Sequence, residues 1–334
     1  MDIPVEIVQQ HANLYSHQGW ERVGDHSYTL TQVRSDQQLG AYVGCLRENW
    51  DLPSDHLPIG ITLQSSSPFH IALWNILNNA YMENIYFDYQ GLNQSLITAE
   101  DQPVFEKFTK RDGHIIELIL GMIRDEVRPR SLIVLQECGE AFLQHLEAKL
   151  PPHMKLVRSF EYQVIDQEVV LYDQRLFDCI EKDIALGLFS SSPKRAIMNL
   201  LFEDKGTKEH YRIISAHLPW MPEDPAPAQF AAYLAGQKAS NDPRETVIAM
   251  GDMNRRERDI AKIFAKSGFN DFQQISPYCT YILYQTDPSV QMYMTGCLDH
   301  AFIFGKTKAL ADAPEHVLPG LDALVDRLHG YLDK

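Results

Sequence analysis

The sequence predicts an α/β protein, α+β in detail, and three observations predict it. Apolar runs of strand length end repeatedly in a polar residue: SLIVLQE at 131–137, YRIISAH at 211–217 and VIAMGD at 247–252. Between them stand stretches with a helical apolar stripe, HIIELILGMIRDEV at 114–127 and ERDIAKIFAKSGF at 257–269. KRAIMNLLF and YRIISAHLPW flank EDKGTKEH and read as a hairpin. No low-complexity linker and no fixed-period repeat divides the 334 residues, so one domain, 1–334, is expected.

In chain order, IPVEIVQQHANLYSHQ reads as a short helix, and SYTLTQVR and AYVGCLRENW as strands. DLPSDHLPIGITLQ is a Pro-bounded loop carrying Asp55 and His56, followed by a strand from Ile59 to Leu63. SSSP at 65–68 is a turn, and FHIALWNIL is a strand ending at Asn75. Residues 78–110 form a polar, aromatic insertion of weak periodicity. The helix at 114–127 is closed by RPR, and the strand at 131–137 ends in Glu137. CGEAFLQHLEAKLPP is a helix with Phe142, Leu146 and Leu150 on one face, stopped by two prolines. EVVLYDQRLFDCI reads as two strands around a DQR turn. The hairpin that follows delivers His217 to its end, and PAQFAAYLAGQKA is a short helix. In the 257–269 helix, Gly268 is a plausible C-cap. CTYILY and CLDHAFIF are late strands, the second carrying Asp299, and HVLPGLDALVDRLHGYLDK ends in a surface helix.

Composition narrows the function classes. The chain is 45% hydrophobic and 22% charged, as in soluble globular proteins. Lys and Arg total 30 against 45 Asp and Glu, a net charge of −15, which argues against broad electrostatic gripping of duplex DNA. Clustered carboxylates suit a divalent cation instead. The five cysteines (Cys45, Cys138, Cys179, Cys279, Cys297) are scattered and form no CxxC pair. They read as reduced thiols in a cytoplasmic setting. The N-terminus MDIPVEIVQQH lacks a secretory pattern, although export without such a signal would leave no trace. No apolar run approaches the roughly 18 residues of an integral membrane segment. A monomer is expected.

The chemistry gathers at strand ends. Asp252 and Asn254, two apart in VIAMGDMNRR, share a face and can point into one site. Alone, Gly-Asp-x-Asn is equally an ordinary turn. Alone, His217 is more often structural, and Glu137 could merely satisfy a helix N-terminus. Together, Asn75, Glu137, His217, Asp252, Asn254 and Asp299, with Asp55 and His56 in a loop, suit metal-assisted attack on phosphorus. A Glu holds Mg²⁺ through hard oxygen, an Asp orients or deprotonates water, and His and Asn stabilise a pentacoordinate phosphorane.

LWNIL, LIVLQE, SAHLPW, MGDMNRR and CLDHAFIF occur in the order found in the deoxyribonuclease-I-like endonuclease/exonuclease/phosphatase superfamily, which the chain resembles over roughly residues 70–305. The resemblance implies a four-layer α/β/β/α sandwich of two mixed sheets and Mg²⁺-dependent cleavage of phosphoesters, with Mn²⁺ as a substitute ion. Members normally end with an SDH loop and a last strand. The 35 residues after Asp299 hold no SDH, whereas LPSDHLPIGITL stands at 52–63, ahead of the other motifs. The resemblance therefore implies a circular permutation, with the family's last strand moved into the N-terminal part. Chain termini of compact domains often lie close together, which makes such a rearrangement physically cheap. Residues 1–68 would be the permuted segment, 69–305 the core and 306–334 the tail.

Carried over, Glu137 would be the principal metal ligand, with Asn75 and Asp55 nearby. Asp252 and Asn254 would orient the attacking water and the scissile phosphate. His56 would contact the phosphate, its imidazolium held by Asp299; the alternative is that His300 does this work. His217 would be the second histidine, with Asp166 in the family's usual partner position and Glu168 as the fallback. Arg195 and Asn75 are candidate substrate contacts, Arg195 as a clamp on a phosphate oxygen. Two features bear on the branch. Leu77 stands where apurinic-endonuclease-like members carry a second carboxylate. WNIL, a long insertion and then Arg111 instead resemble the deadenylase/nocturnin-like branch, while GDMNRRERD is similar to tyrosyl-DNA phosphodiesterase and inositol-phosphatase versions.

Three functions follow from these readings. The first is a Mg²⁺-dependent phosphodiesterase or nuclease on RNA or nucleotide ends, with Tyr81, Tyr86, Phe87 and Tyr89 available to stack bases. The second is a phosphatase or phospholipase on inositol phosphates or phospholipid headgroups, which the net charge of −15 suits. The third is a catalytically silent binding module, against which the retained acids, amides and histidines argue.

Overall fold

The computed structural model of the chain describes residues 20–23, 27–30, 54, 56–77, 111–159, 167–192, 195–219, 223–240, 245–276, 281–283, 293–317 and 321. Asp55 and Asp166 lie outside these residues. So do the expected N-terminal helix, the AYVGCLRENW strand, the 78–110 insertion and nearly all of the expected tail helix.

Two six-stranded mixed sheets form the centre. The first is built from β3 (Ile59–Leu63), β4 (Phe69–Asn75), β5 (Arg130–Cys138), β6 (Met154–Arg158), β7 (Gln167–Asp173) and β16 (Ala309–Ala311), in the order β16-β3-β4-β5-β7-β6. The second is built from β8 (Phe177–Ala185), β9 (Ile197–Asp204), β10 (His210–Ala216), β11 (Glu245–Asp252), β12 (Gln273–Ile275) and β15 (Asp299–Gly305), in the order β12-β15-β11-β10-β9-β8. Two small antiparallel pairs stand apart: β1 (Trp20–Val23) with β2 (Ser27–Leu30), and β13 (Tyr281–Leu283) with β14 (Tyr293–Gly296).

The two large sheets repeat one pairing scheme. Read across either, the contacts run antiparallel, antiparallel, parallel, antiparallel, antiparallel. The parallel pairs are β4 with β5 and β10 with β11. A parallel pair brings two carboxyl ends to the same edge, so each sheet presents two adjacent strand exits there.

Side-chain alternation builds the layers. On β11, Ile248 and Met250 join the core between the sheets, while Val247 and Ala249 face a second core under two helices. Those helices are α3 (Ala226–Ser240) and α4 (Glu257–Lys266), which contribute Phe230, Leu234, Ile260 and Phe264. On the other side, α1 (Arg111–Arg124) buries Ile115, Ile116, Ile119 and Ile123 at helical spacing, and α2 (Glu140–Lys149) buries Phe142, Leu143 and Leu146. The architecture is thus helix, sheet, sheet, helix, as expected. Burying one such aliphatic or aromatic side chain contributes about 1.5–3 kcal/mol, which explains why the stripes decide the layering. Helix α4 ends where Gly268 adopts φ +80°, and Phe269 N–H donates to Phe264 O at 3.0 Å. Among the described residues, no helix is long and apolar enough to cross a membrane.

Two local features go beyond the sequence reading. The strands around the DQR turn both exist, but β7 pairs with β5 and β6 whereas β8 pairs with β9. The turn is therefore a corner between sheets rather than a hairpin tip, a choice made by distant partners. Strands β6, β12 and β16 lie at or near sheet edges and are five, three and three residues long, too short for a legible period.

Candidate functional site

The exits of β4, β5, β10 and β11 converge with the entries of β3 and β15. Strand β3 runs antiparallel to β4, so the residues just before Ile59 lie beside Asn75. Strand β15 starts at Asp299, directly opposite Asp252 at the end of β11. Asn75, Asp252, His56 and Asp299 are all buried, as are Glu137 and His217.

A hydrogen-bonded chain joins them. Asn75 Nδ2 donates to Glu137 Oε1 at 3.0 Å and to Asp252 Oδ2 at 3.3 Å. His217 Nε2 lies 3.5 Å from Asp252 Oδ2 and 3.7 Å from Glu137 Oε1. His56 Nε2 lies 3.5 Å from the same Asp252 oxygen, and its Nδ1 bonds Asp299 Oδ2 at 2.8 Å. Asn254 donates its backbone N–H to Asp252 Oδ1 at 2.8 Å and its side-chain nitrogen to Leu218 O at 2.7 Å, with His217 Nε2 3.3 Å away. The segment carrying His56 is docked onto the end of β4. Ser54 Oγ donates to Asn75 O at 2.7 Å and accepts from His56 N–H at 3.1 Å, while Trp74 Nε1 donates to His56 O at 2.9 Å.

Backbone strain marks the same place. Among the described residues, four non-glycine positions have left-handed φ, and three of them sit here: Leu77 (+54°), Glu137 (+59°) and Asn254 (+48°). Each such conformation costs on the order of 1–3 kcal/mol. At Glu137 the reason is visible. Gln136 and Glu137 are neighbours on β5 and would point to opposite faces of a regular strand. Gln136 Oε1 accepts from Asp252 N–H at 2.8 Å, and Glu137 reaches Asn75 in the same cluster. A register shift between Leu135 and Cys138, together with the left-handed turn, brings both side chains to one side. The glycine of Gly-Asp-x-Asn has its own reason. A Cβ at Gly251 would lie 1.9 Å from Ala216 O and 2.7 Å from Gln136 Nε2. Only glycine lets β10 approach closely enough for Leu218 N–H to donate to Asp252 O at 2.9 Å.

Burial dominates the electrostatics. It pushes the Asp252 carboxyl up to about 7, with nearby His56 pulling the other way and Asp299 adding to the rise. Burial also holds His217 well below the ordinary imidazole value, reinforced by the positive charges of Arg195 and His56. Glu168, raised to about 7 by burial, accepts the backbone N–H of His217 at 3.0 Å. The expected fallback partner of the His217 ring thus holds that residue's main chain instead.

The other expected residues sort by geometry. Arg195 Nη1 donates to His217 O at 3.0 Å and Leu218 O at 2.9 Å, so part of its guanidinium braces the loop after β10. His300, one residue on from Asp299, faces the helix side. Its Nδ1 pairs with Ser276 Oγ at 2.6 Å and its Nε2 donates to Arg255 O at 2.8 Å. Asn75 Oδ1 accepts Leu77 N–H at 3.0 Å, so the group it turns to the carboxylates is the NH₂. Both N–H groups are donated to these carboxylates, so the expected phosphate contact of Asn75 requires one of them to be released, and the metal-ligand role is not served, because an amide nitrogen that donates cannot ligate. Sequence reasoning missed Gln136, Ser54 and the backbone attachment of Glu168. Gln136 and Ser54 directly adjoin predicted site residues, yet alternation argued against Gln136, and Ser54, the first residue of the SDH motif, was given no role of its own.

Two sets of atoms could hold a cation. His56, Asp252 and Asp299 offer ligand atoms within 4.8 Å of one another. In that trio the imidazole nitrogen already bonds Asp299, and Mg²⁺ prefers oxygen. Glu137 Oε1 and Asp252 Oδ2 fit better: both are hard oxygens converging on one amide, and a divalent charge beside Asp252 would offset the burial that raises it.

No protein-family model matches the sequence, and no curated protein matches it. Solved structures do resemble the fold. An endonuclease/exonuclease/phosphatase family protein from Bacteroides thetaiotaomicron is similar at 16% identity over 74% of this chain and 84% of that one, with a TM-score of 0.46. Humanized D. rerio TDP2 is similar at 12% identity over 75% of this chain and 84% of that one, TM-score 0.48. The human Nocturnin catalytic domain is similar at 16% identity over 76% and 89%, TM-score 0.44. Endonuclease/exonuclease/phosphatase proteins are therefore among the structural neighbours of this chain.

Proposed function

We propose that the chain is a metal-dependent phosphoester hydrolase, a Mg²⁺-supported phosphodiesterase acting on RNA or nucleotide ends. The observation that carries the reading is the convergence of Asn75, Glu137, His217 and Asp252 at four strand exits, closed by the His56–Asp299 pair. Glu137 and Asp252, with Asp55, would hold the ion, which would lower the pKa of water and neutralise phosphate charge. Asp252 and Asn254 orient the water, and Asp252 takes its proton. His56, backed by Asp299, donates to the phosphate, and the Asn75 amide, on releasing one of its two carboxylates, donates to another of its oxygens. His217, kept neutral by burial, completes the donor set, with Asp166 as its proposed ring partner. Arg195 turns its remaining donors to the phosphate.

The whole of 1–334 is proposed as one catalytic unit in which the His56 segment is the family's last strand, circularly permuted to the front. A second reading, a phosphatase or phospholipase on inositol phosphates or phospholipid headgroups, is favoured by the net charge of −15, which repels long polyanions. The test is a panel of poly(A) RNA, DNA ends, phosphoinositides and phospholipids, each with Mg²⁺, Mn²⁺ and EDTA. RNA cleavage lost in EDTA supports the first reading and phosphoinositide or phospholipid turnover the second. No metal-stimulated hydrolysis of any member defeats both.

A further inference from the structure

Strand β4 leaves its sheet through an irregular turn. Ile76 N–H makes the last rung, to Gln136 O at 3.1 Å, and Leu77 then adopts the left-handed φ of +54°. A buried leucine has no intrinsic preference for that conformation. Two contacts hold it there. Leu77 N–H donates to Asn75 Oδ1 at 3.0 Å, and Arg111 Nη2 donates to Leu77 O at 2.6 Å and to Ile76 O. Arg111 opens α1 and is buried; its ion-pair contact with Asp112 is long, at 3.8 Å. Burial of a guanidinium is costly unless its donors are used. Here Nη2 is used on the two carbonyls that follow Asn75.

The consequence falls on the Asn75 amide, which has two orientations with opposite chemistry. With Oδ1 taken by Leu77 N–H, the NH₂ must face Glu137 and Asp252, where it donates to both. Flipped, the oxygen would face two carboxylates and the NH₂ would face an N–H.

We infer that Arg111 is a positioning residue: through the Leu77 turn, it fixes the Asn75 amide with its NH₂ toward Glu137 and Asp252. The inference rests on the hydrolase reading for its kinetic test alone. The side-chain NH₂ signals of Asn75, identified by their loss in Asn75→Ala, are followed by ¹⁵N NMR in Arg111→Met. The indole N–H of Trp74, bonded to His56 O next door, reports an intact fold. The expected result is loss of exchange protection at the Asn75 NH₂ with the Trp74 signal unmoved, partly restored in Arg111→Lys. On the substrate found active, kcat falls on the order of 10–100-fold in Arg111→Met, and Arg111→Met/Asn75→Ala loses no more than Asn75→Ala alone. Unmoved Asn75 NH₂ signals, or losses that multiply in the double variant, overturn the inference. Should Arg111→Met not fold, Arg111→Lys, which keeps the buried charge, is read by the same signals. A chain that hydrolyses nothing defeats the function proposed above and leaves the NMR result standing.

Discussion

The two ends of β3, β4 and β5 both bury charge, and they do it in opposite ways. At the entry of β5, Arg130 pairs with Asp312 and also bonds His316 O. Arg128 lies 3.6 Å from the same carboxylate, and Thr62 Oγ1 donates to it at 2.5 Å. At the exit of β5, on the order of 20 Å away by strand rise, Glu137 and Asp252 crowd one amide. The charges set against them are imidazoles, whose state depends on pH. The first end is a fixed cation meeting an anion, and it clasps the β16 segment onto β3. The second end is like charges held together over a strained backbone. Buried charge alone therefore does not mark the site. Crowding of like groups does, together with three left-handed residues.

The largest expected effect breaks the exit. Asp252→Asn lowers kcat by about 10³-fold in the metal-supported assay, the range of a lost general base. Its melting temperature holds or rises, because a buried like charge has been removed. Next is the entry. Asp312→Ala leaves Arg130 buried without its carboxylate and destabilises by about 3–5 kcal/mol in urea denaturation, with kcat per folded molecule unchanged. Loss of activity beyond the folded fraction would show that the clasp is part of the site.

The third effect is a pH profile. Glu168 goes from an ordinary 4.5 to about 7 on folding, so between these values the folded chain binds the extra proton. Its stability contribution is fully present below about pH 4.5 and is lost as pH rises through 7, at up to about 1.4 kcal/mol per pH unit. Asp252 acts in the same direction over about pH 4 to 7. His217 acts oppositely: held below 6.5, it contributes stability above that pH and loses it as pH falls. Glu168→Gln keeps an acceptor for His217 N–H but cannot titrate. Urea denaturation from pH 5 to 8 is expected to show a flatter profile than the wild type; an unchanged profile refutes the assignment. The smallest effect concerns Lys208, whose φ of +59° lies in the β9–β10 turn. Lys208→Gly relieves that strain but loses the exposed, solvent-screened pair with Glu203, so the urea midpoint stays close to that of the wild type and kcat does not change.

Most of the architecture was legible because its causes are local. The 3.6-residue stripe of Ile115, Ile116 and Ile119 and the apolar run of β11 state which element forms and which face is buried. Asn75, Glu137, His217 and Asp252 were legible as polar residues closing apolar strands, and Asp299 as one opening the apolar run of β15. The pairing of His56 with Asp299 was legible only through the resemblance, since nothing local connects the two across 243 positions.

Other features depended on distant partners. The DQR turn joins two sheets because β7 finds β5 and β6 while β8 finds β9. Gln136 enters the cluster because a bulge overrides alternation at Glu137, and Glu168 bonds a main-chain N–H that any residue at 217 would offer. The Asn75 amide is oriented by Leu77 N–H under carbonyls that Arg111 holds from the far side of a long insertion. Periodicity and strand-end chemistry are properties of neighbouring residues and can be read along the chain. Donor direction, protonation and backbone strain are set by whatever packs against a group, so they exist only once the sheets have closed on each other.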